Sequence, residues 1–404
     1  MTTPFEDRYI TDAAALEALC RHLRSSRRLG LDTEFVGEES FIPKLELIQV
    51  AAQDTAAVID FPAVQASGSL APFWELICDP HVEKIVHAGR QDLDLFALHA
   101  GQIPKPFFDT QVAAAMLGFG AQVAYANLVQ RIHGTKLAKA HTFTNWSARP
   151  LSTDQIAYAA EDVKFLLPLH SHLEKRLHAL GRIEWVKEEF SRLETAVAEK
   201  SKDPLDRYQR IRGWESLKPR QAAVLRDLAA WRETEARRRN VPRGRVMRDE
   251  VLLQLARHPP ATVDDLRGLR GLHGSEIDRN GDQLIATISA SLALPPSAWP
   301  HVPRDRKPEP ESIGLVELLQ AVLKARAAEA EIAPTLLATS ADLQALVEAK
   351  EKNKPLDLPL LRGWRRELIG ELLLQILEGA VSVAVDPVKG VLRMSGDVTM
   401  AKPE

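Results

Sequence analysis

The chain has 404 residues, too many for one ordinary domain and suited to two or three, and its 45% apolar content is enough for real cores. Two cysteines, Cys20 and Cys78, exclude a disulfide framework or a cysteine zinc site and point to a reducing compartment. There is no basic-then-apolar leader at the start and no apolar run long enough to span a bilayer, so a soluble, cytoplasmic protein is expected.

The formal net charge of −3 is unevenly spread. Between Lys200 and Glu250 there are fifteen Lys and Arg against eight Asp and Glu, a net of +7, which leaves −10 for the remainder. Such a segment either meets phosphates or is a solvated helical face.

In chain order, "AALEALCRHLRSS" has helical periodicity. "RLGLDTEFV", "KLELIQVAA" and "AAVIDFPAV" read as strands. A strand-like "EKIVHA" leads into a helix beginning near Arg90, followed by the helical segments "DTQVAAAMLGFG" and "YANLVQRIHG". "STDQIAYAAEDVKFLLPLHSHLEKRL" reads as one long helix, with Ser152 or Thr153 as N-cap and Gln155 as capping partner. Residues 1–200 are therefore a sheet with helices packed on it.

After a break at "SKDPLDRYQRIRGW", residues 213–295 are all-helical in pattern, with Thr262 capping one helix and Asp265 as its partner. A proline- and charge-rich linker, 296–311, separates a second helical unit, 312–385. The tail, 386–404, has room for a small hairpin. The two helical units read as distant repeats: "EARRRNVP" aligns with "AAEAEIAP", and a further helix follows each.

Two acids interrupt the first apolar strand. Asp32 and Glu34 are two apart, so both project from one face. Buried without compensation they would repel each other and cost several kcal/mol, whereas a divalent cation neutralises them with oxygen ligands. An exposed edge strand is the plainer reading. Asp92 falls in the first turn of a helix, where a dipole partner is equally natural. Tyr158 and Asp162 are four apart and share a helix face. His87, His99 and His141 read as structural or solvated, and Trp231 as helix core.

The order of these elements resembles the three motifs of the DEDD exonuclease superfamily in its tyrosine-bearing branch. "LDTEF" with "KLELIQVA", then "HAGRQDLDLF", then "NWSARPLSTDQIAYAAEDVKFLLPL" carry the resemblance. The segment "LAAWRETEARRRNVPRGRVMRDEVLLQLARHPPATVDDLRGLRG" resembles an HRDC domain, and the whole chain is similar to the ribonuclease D family. The segment after the first motif, "VGEESFIP", departs from the family, so no substrate contact is carried over there.

The resemblance implies an α/β catalytic domain over residues 1–200, ribonuclease H-like or DnaQ-like with a mixed sheet and helices, followed by two all-α HRDC-type domains, the second degenerate. It implies a metal-dependent 3′→5′ exoribonuclease that releases nucleoside 5′-monophosphates and acts in tRNA 3′-end processing. Asp32, Glu34, Asp92 and Asp162 would hold two divalent ions, Mg²⁺ or Mn²⁺, with Tyr158 orienting the attacking water. RNA would lie on Arg237, Arg238, Arg239, Arg243, Arg245 and Arg248, and the protein would be a monomer without a membrane partner. A DNA exonuclease of the same superfamily and an inactive RNA-binding scaffold are the competing readings.

Overall fold

A computed structural model describes residues 6–137, 144–198, 204–302, 310–352 and 355–396. It divides into two compact units. One comprises Met1–Thr33, Leu47–Val197 and Pro308–Glu404; the other comprises Glu34–Glu46 and Ala198–Lys307.

The first unit is built on a six-stranded mixed sheet. Its strands are β1 (Glu6–Ile10), β2 (Arg28–Val36), β3 (Lys44–Ala51), β4 (Thr55–Asp60), β5 (Glu83–Val86) and β6 (Phe107–Asp109), in spatial order β1-β4-β3-β2-β5-β6. β2, β5 and β6 run parallel, as do β1 and β4, while β3 opposes β4. In register, Gly30 lies opposite Ile85, so β2 and β5 reach the same end of the sheet together. In open α/β sheets that end, outside the strand carboxyl termini, is where ligands bind.

Helices α1 (Ala13–Leu23), α2 (Phe61–Ser67), α3 (Ala71–Cys78), α4 (Arg90–Ala100), α5 (Thr110–Ala115), α6 (Tyr125–His133), α7 (Thr153–Lys164), α8 (Leu166–Ala179) and α9 (Ile183–Ala198) complete this part. The edge strand β1, short and charged, is not foreseen by periodicity. "AAVIDFPAV" is a strand only as far as Asp60. There the carboxylate accepts the Ala63 N–H at 3.1 Å and caps α2, so the apolar residues beyond it are helical. The single long helix expected over 152–177 is two helices, interrupted at Phe165.

The second unit contains α10 (Pro219–Arg239), α11 (Arg243–Val246), α12 (Asp249–Arg257), α13 (Val263–Arg267) and α14 (Gly274–Leu292). Trp231 lies in its core, and Thr262 and Asp265 form the expected capping box. Asn240, at φ +47°, ends α10 in the left-handed region.

The C-terminal helices α15 (Pro310–Glu329), α16 (Pro334–Leu337) and α17 (Ser340–Glu351) repeat the pattern of α10 to α12, with Glu331 at φ +50° after the first of them. A last helical run, α18 (363–377), and a hairpin of β7 (Val381–Val385) and β8 (Leu392–Gly396) follow. This portion packs into the same core as α8 and α9. Trp364 stacks on Trp185 at 5.1 Å between centroids, and the Arg365 guanidinium grips the Glu189 carboxylate with two bonds of 2.7 Å.

Candidate active site

Three elements carry the acids singled out by sequence. Asp32 and Glu34 lie half-buried on β2, and Thr33 between them is buried. The Thr33 hydroxyl donates to the Asp92 carboxylate. That bond ties the strand to α4.

Asp92 is placed by the turn between β5 and α4. Ala88 adopts φ +54°, and a Cβ on Gly89 would stand 2.5 Å from Val86, so the chain can turn tightly only with glycine there. Asp109, at the end of the neighbouring β6, accepts the N–H groups of Ala88 and Gly89 at 3.1 and 3.0 Å and also caps α5. One carboxylate thus fixes two helix starts. Asp92 sits in the first turn of α4 and is 7% exposed.

Tyr158 and Asp162 lie on α7, whose start is set by Ser152. The Ser152 hydroxyl accepts the Gln155 N–H at 3.2 Å, and the Gln155 side chain accepts the Ser152 N–H at 2.8 Å. The segment before it is clamped to β4. Arg149 donates to both oxygens of Asp60, at 2.5 and 3.1 Å, and to the carbonyl of Trp146 at 2.5 Å; Tyr9 donates to Asp60 as well. Burial would raise the Asp60 pKa, but the Arg149, Tyr9 and Ala63 bonds outweigh it and hold the carboxyl below its ordinary value. Trp146 in turn stacks near Tyr158, 6.4 Å between centroids.

Burial pushes the Asp92 carboxyl up to about 6, with Asp109 adding to the rise and the Thr33 bond opposing it. Burial, then the neighbouring Glu161, pushes Asp162 up to about 7. Both are desolvated acids short of positive charge, as oxygen ligands awaiting a hard divalent cation would be. Among the described residues no three His, Cys, Asp or Glu side chains stand close enough to form a ready metal cage.

His87 bonds Thr110 and the Val123 carbonyl, each at 2.9 Å, and burial lowers its pKa. His99 is stacked on Trp74. Both are structural, as expected; His141 lies outside the described residues. Thr33, Asp109 and Arg149 were missed as parts of the site. Only their places beside the motif acids, in "DTE", "FDT" and "SARP", could have drawn attention to them.

The basic segment is less open than its composition suggests. Arg238 pairs with Glu235, Arg239 with Glu276, and Arg243 with Glu233. Arg237 and Arg243 also lie over the Phe41 ring, at 5.4 and 4.5 Å. A cavity of about 880 Å³ in this unit is lined by four arginines, Arg239, Arg245, Arg248 and Arg279, against three carboxylates, Glu38, Glu39 and Glu276.

A mixed-sheet domain with carboxylates on β2, α4 and α7, followed by a helical unit, fits a 3′–5′ exonuclease, and comparison with known proteins shows that class. A family model described as 3′-5′ exonuclease matches residues 8–178, and an HRDC domain model matches 221–288. The chain is 41% identical to ribonuclease D of Granulibacter bethesdensis over 93% of its own length and 94% of that protein. It is 38% identical to ribonuclease D of Pseudomonas paraeruginosa over 94% and 100%. The crystal structure of Escherichia coli RNase D, described as an exoribonuclease involved in structured RNA processing, superposes with a TM-score of 0.82. Its identity is 32%, over 93% of this chain and 99% of that one. The chain belongs to the ribonuclease D family. It is a 3′–5′ exoribonuclease, and the family implies dependence on divalent metal. No helix of the described residues is long and apolar enough to cross a membrane.

Proposed function

We propose that the enzyme trims RNA from its 3′ end one nucleoside 5′-monophosphate at a time, with two Mg²⁺ or Mn²⁺ ions at the site, and that it acts in tRNA 3′-end processing as a cytoplasmic monomer. The observation that supports this reading is the bond from Thr33, between Asp32 and Glu34 on β2, to Asp92 at the start of α4, with burial raising the carboxyls of Asp92 and Asp162.

Bound there, the ions supply a hydroxide at neutral pH and Lewis-acid stabilisation of the leaving 3′ oxygen. Asp32, Glu34, Asp92 and Asp162 would hold the ions, with Asp32 shared between them, Glu34 and Asp162 serving the one on the nucleophile's side and Asp92 the other. The Tyr158 hydroxyl orients the attacking water, its ring held beside Trp146.

The RNA body lies along the second unit. Arg245 and Arg248, with Arg279, line its large cavity and suit phosphate. Arg238, Arg239 and Arg243 act mainly by pairing with acids, which leaves Arg237 as the further phosphate contact. The test is turnover of a 3′-tailed RNA and its DNA counterpart with Mg²⁺ or chelator. Mononucleotide release from RNA, lost with chelator, supports the reading; preference for the DNA moves the enzyme to the alternative within the superfamily.

A further inference from the structure

The Tyr125 hydroxyl sits in a helical rung to which its own residue does not belong. It donates to the Glu161 carbonyl at 3.2 Å and accepts the Phe165 N–H at 3.0 Å. Glu161 and Phe165 are four apart, the acceptor and donor of one α-helical bond. The hydroxyl therefore occupies the rung that would join α7 to α8. Pro168, in the first turn of α8, has no N–H for the Lys164 carbonyl and so bends the helix here, and the hydroxyl fills the rung beside that bend. The bend is visible at Phe165, with φ −98° and ψ −1°, between the end of α7 at Lys164 and the start of α8 at Leu166.

Asp162 lies inside the opened turn. On the far side of the bend, Leu166 comes down onto β2. A Cβ built on Gly30 would meet the Leu166 Cβ at 3.1 Å, closer than ordinary packing allows. Gly30 is two residues before Asp32. Bend and glycine are thus complementary: one directs the helix toward the strand and the other leaves room for it. The Tyr125 ring is itself fixed, lying edge-on to His87 at 5.6 Å. Burial, with the charges of Asp162 and Asp32 nearby, raises the hydroxyl pKa well above its ordinary value, so it remains a donor at neutral pH.

We propose that Tyr125 is a positioning residue for the metal-binding carboxylate Asp162, bridging the rung beside the Pro168 bend so that the angle of the helix over Gly30, and with it the place of Asp162 relative to Asp32, is fixed. This rests on the reading of Asp162 as a metal ligand. A merely structural tyrosine and a positioning one differ in their effects. Without the hydroxyl, Glu161 and Phe165 can bond each other, so little stability is lost, but the bend, left to Pro168 alone, is no longer held at one angle and Asp162 shifts.

The test uses full-length Tyr125→Phe, with Mn²⁺ binding measured by calorimetry and kcat followed against Mn²⁺ on a short RNA. The expected result is a nearly unchanged melting temperature and RNA KM, metal affinity weakened about tenfold or more, and kcat partly restored by excess metal. Wild-type metal affinity, or a loss of kcat that metal does not relieve, overturns the proposal. Gly30→Ala presses on the same bend from the strand side and reads the same quantity should Tyr125→Phe fail to fold. Wild-type affinity in that variant overturns the proposal too. Asp162→Asn is measured in parallel. If it binds metal like wild type, the site reading fails and takes this proposal with it. If it weakens binding while Tyr125→Phe does not, only the role of Tyr125 falls.

Discussion

The Thr33 hydroxyl donates to the carboxylate of Asp92 across from β2 to α4, and both residues are buried. The bond spans 59 positions of sequence and joins the strand of the first motif to the helix of the second. Burial leaves Asp92 desolvated and raises its pKa to about 6, with the Thr33 bond opposing the rise. An acid kept in such a place costs stability that only its chemistry repays.

Asp92→Asn should therefore separate stability from activity. The amide still accepts the Thr33 bond and carries no charge to bury. In the presence of chelator at about pH 8 the variant should be more stable than wild type by roughly 1–3 kcal/mol, while exonuclease turnover is lost. Thermal melting and a turnover assay check both. A variant that melts below wild type under those conditions would contradict the burial argument.

Arg149 should matter through Asp60 and the start of α7. Arg149→Ala leaves a carboxylate that is 1% exposed without its guanidinium, at a cost of about 3 kcal/mol near neutral pH. The sign with pH follows from the depressed folded pKa of Asp60. The stabilisation is present above the unfolded value and is lost as pH falls through the folded one. The gap between variant and wild type should then narrow below about pH 3.8, as denaturant melts at several pH values would read. A gap independent of pH would mean that the ion pair is not its source. Turnover should fall as well, because the same arginine holds the Trp146 carbonyl upstream of Tyr158.

The arginines of the second unit should fall into two groups. Arg245→Ala, Arg248→Ala and Arg279→Ala should each weaken binding of long RNA and reduce the salt slope by about one, leaving a dinucleotide substrate unaffected. Arg239→Ala and Arg243→Ala should instead lower the melting temperature, because each removes a bidentate guanidinium from a nearly buried glutamate, leaving Glu276 only Asn280 and Glu233 only the more distant Arg207. Filter binding over a salt series and melting curves distinguish the groups; equal effects on binding across all five would dissolve the division.

The C-terminal portion should behave as part of the catalytic unit's core. Arg365 is 6% and Glu189 11% exposed at the side chain, and Trp364 covers Trp185 beside them. Arg365→Ala should cost about 3 kcal/mol, and removing residues from 308 onward should leave residues 1–198 prone to aggregate. A truncated protein that melts like the full chain would show the packing to be dispensable.

The sequence announced the strand, the two helices and the acids they carry, because the i and i+2 spacing on a strand and the i and i+4 spacing on a helix are local geometry. The Ser152 cap was legible for the same reason. What escaped depends on partners distant in the chain. The break at Phe165 has a local sign in Pro168, which has no N–H for the Lys164 carbonyl, but the Tyr125 hydroxyl that fills the neighbouring rung lies 40 residues upstream. Arg239 looks free until Glu276, 37 residues on, comes beside it. The edge strand β1 pairs in parallel with its neighbour β4, two strands later in the sequence, and its own five residues give little sign of it.

The central claim is that Asp32 anchors a metal-dependent exonuclease working from a free 3′ end. The most direct measurement follows 5′-labelled RNA bearing either a 3′-hydroxyl or a 3′-phosphate, with wild type and Asp32→Asn, in Mg²⁺ or chelator. The account predicts a ladder shortened one nucleotide at a time, only from the 3′-hydroxyl, only with metal and only with wild type, while Asp32→Asn still binds the RNA. Internal cuts in the 3′-phosphate substrate at the same rate, or Asp32→Asn activity within about tenfold of wild type, would contradict it.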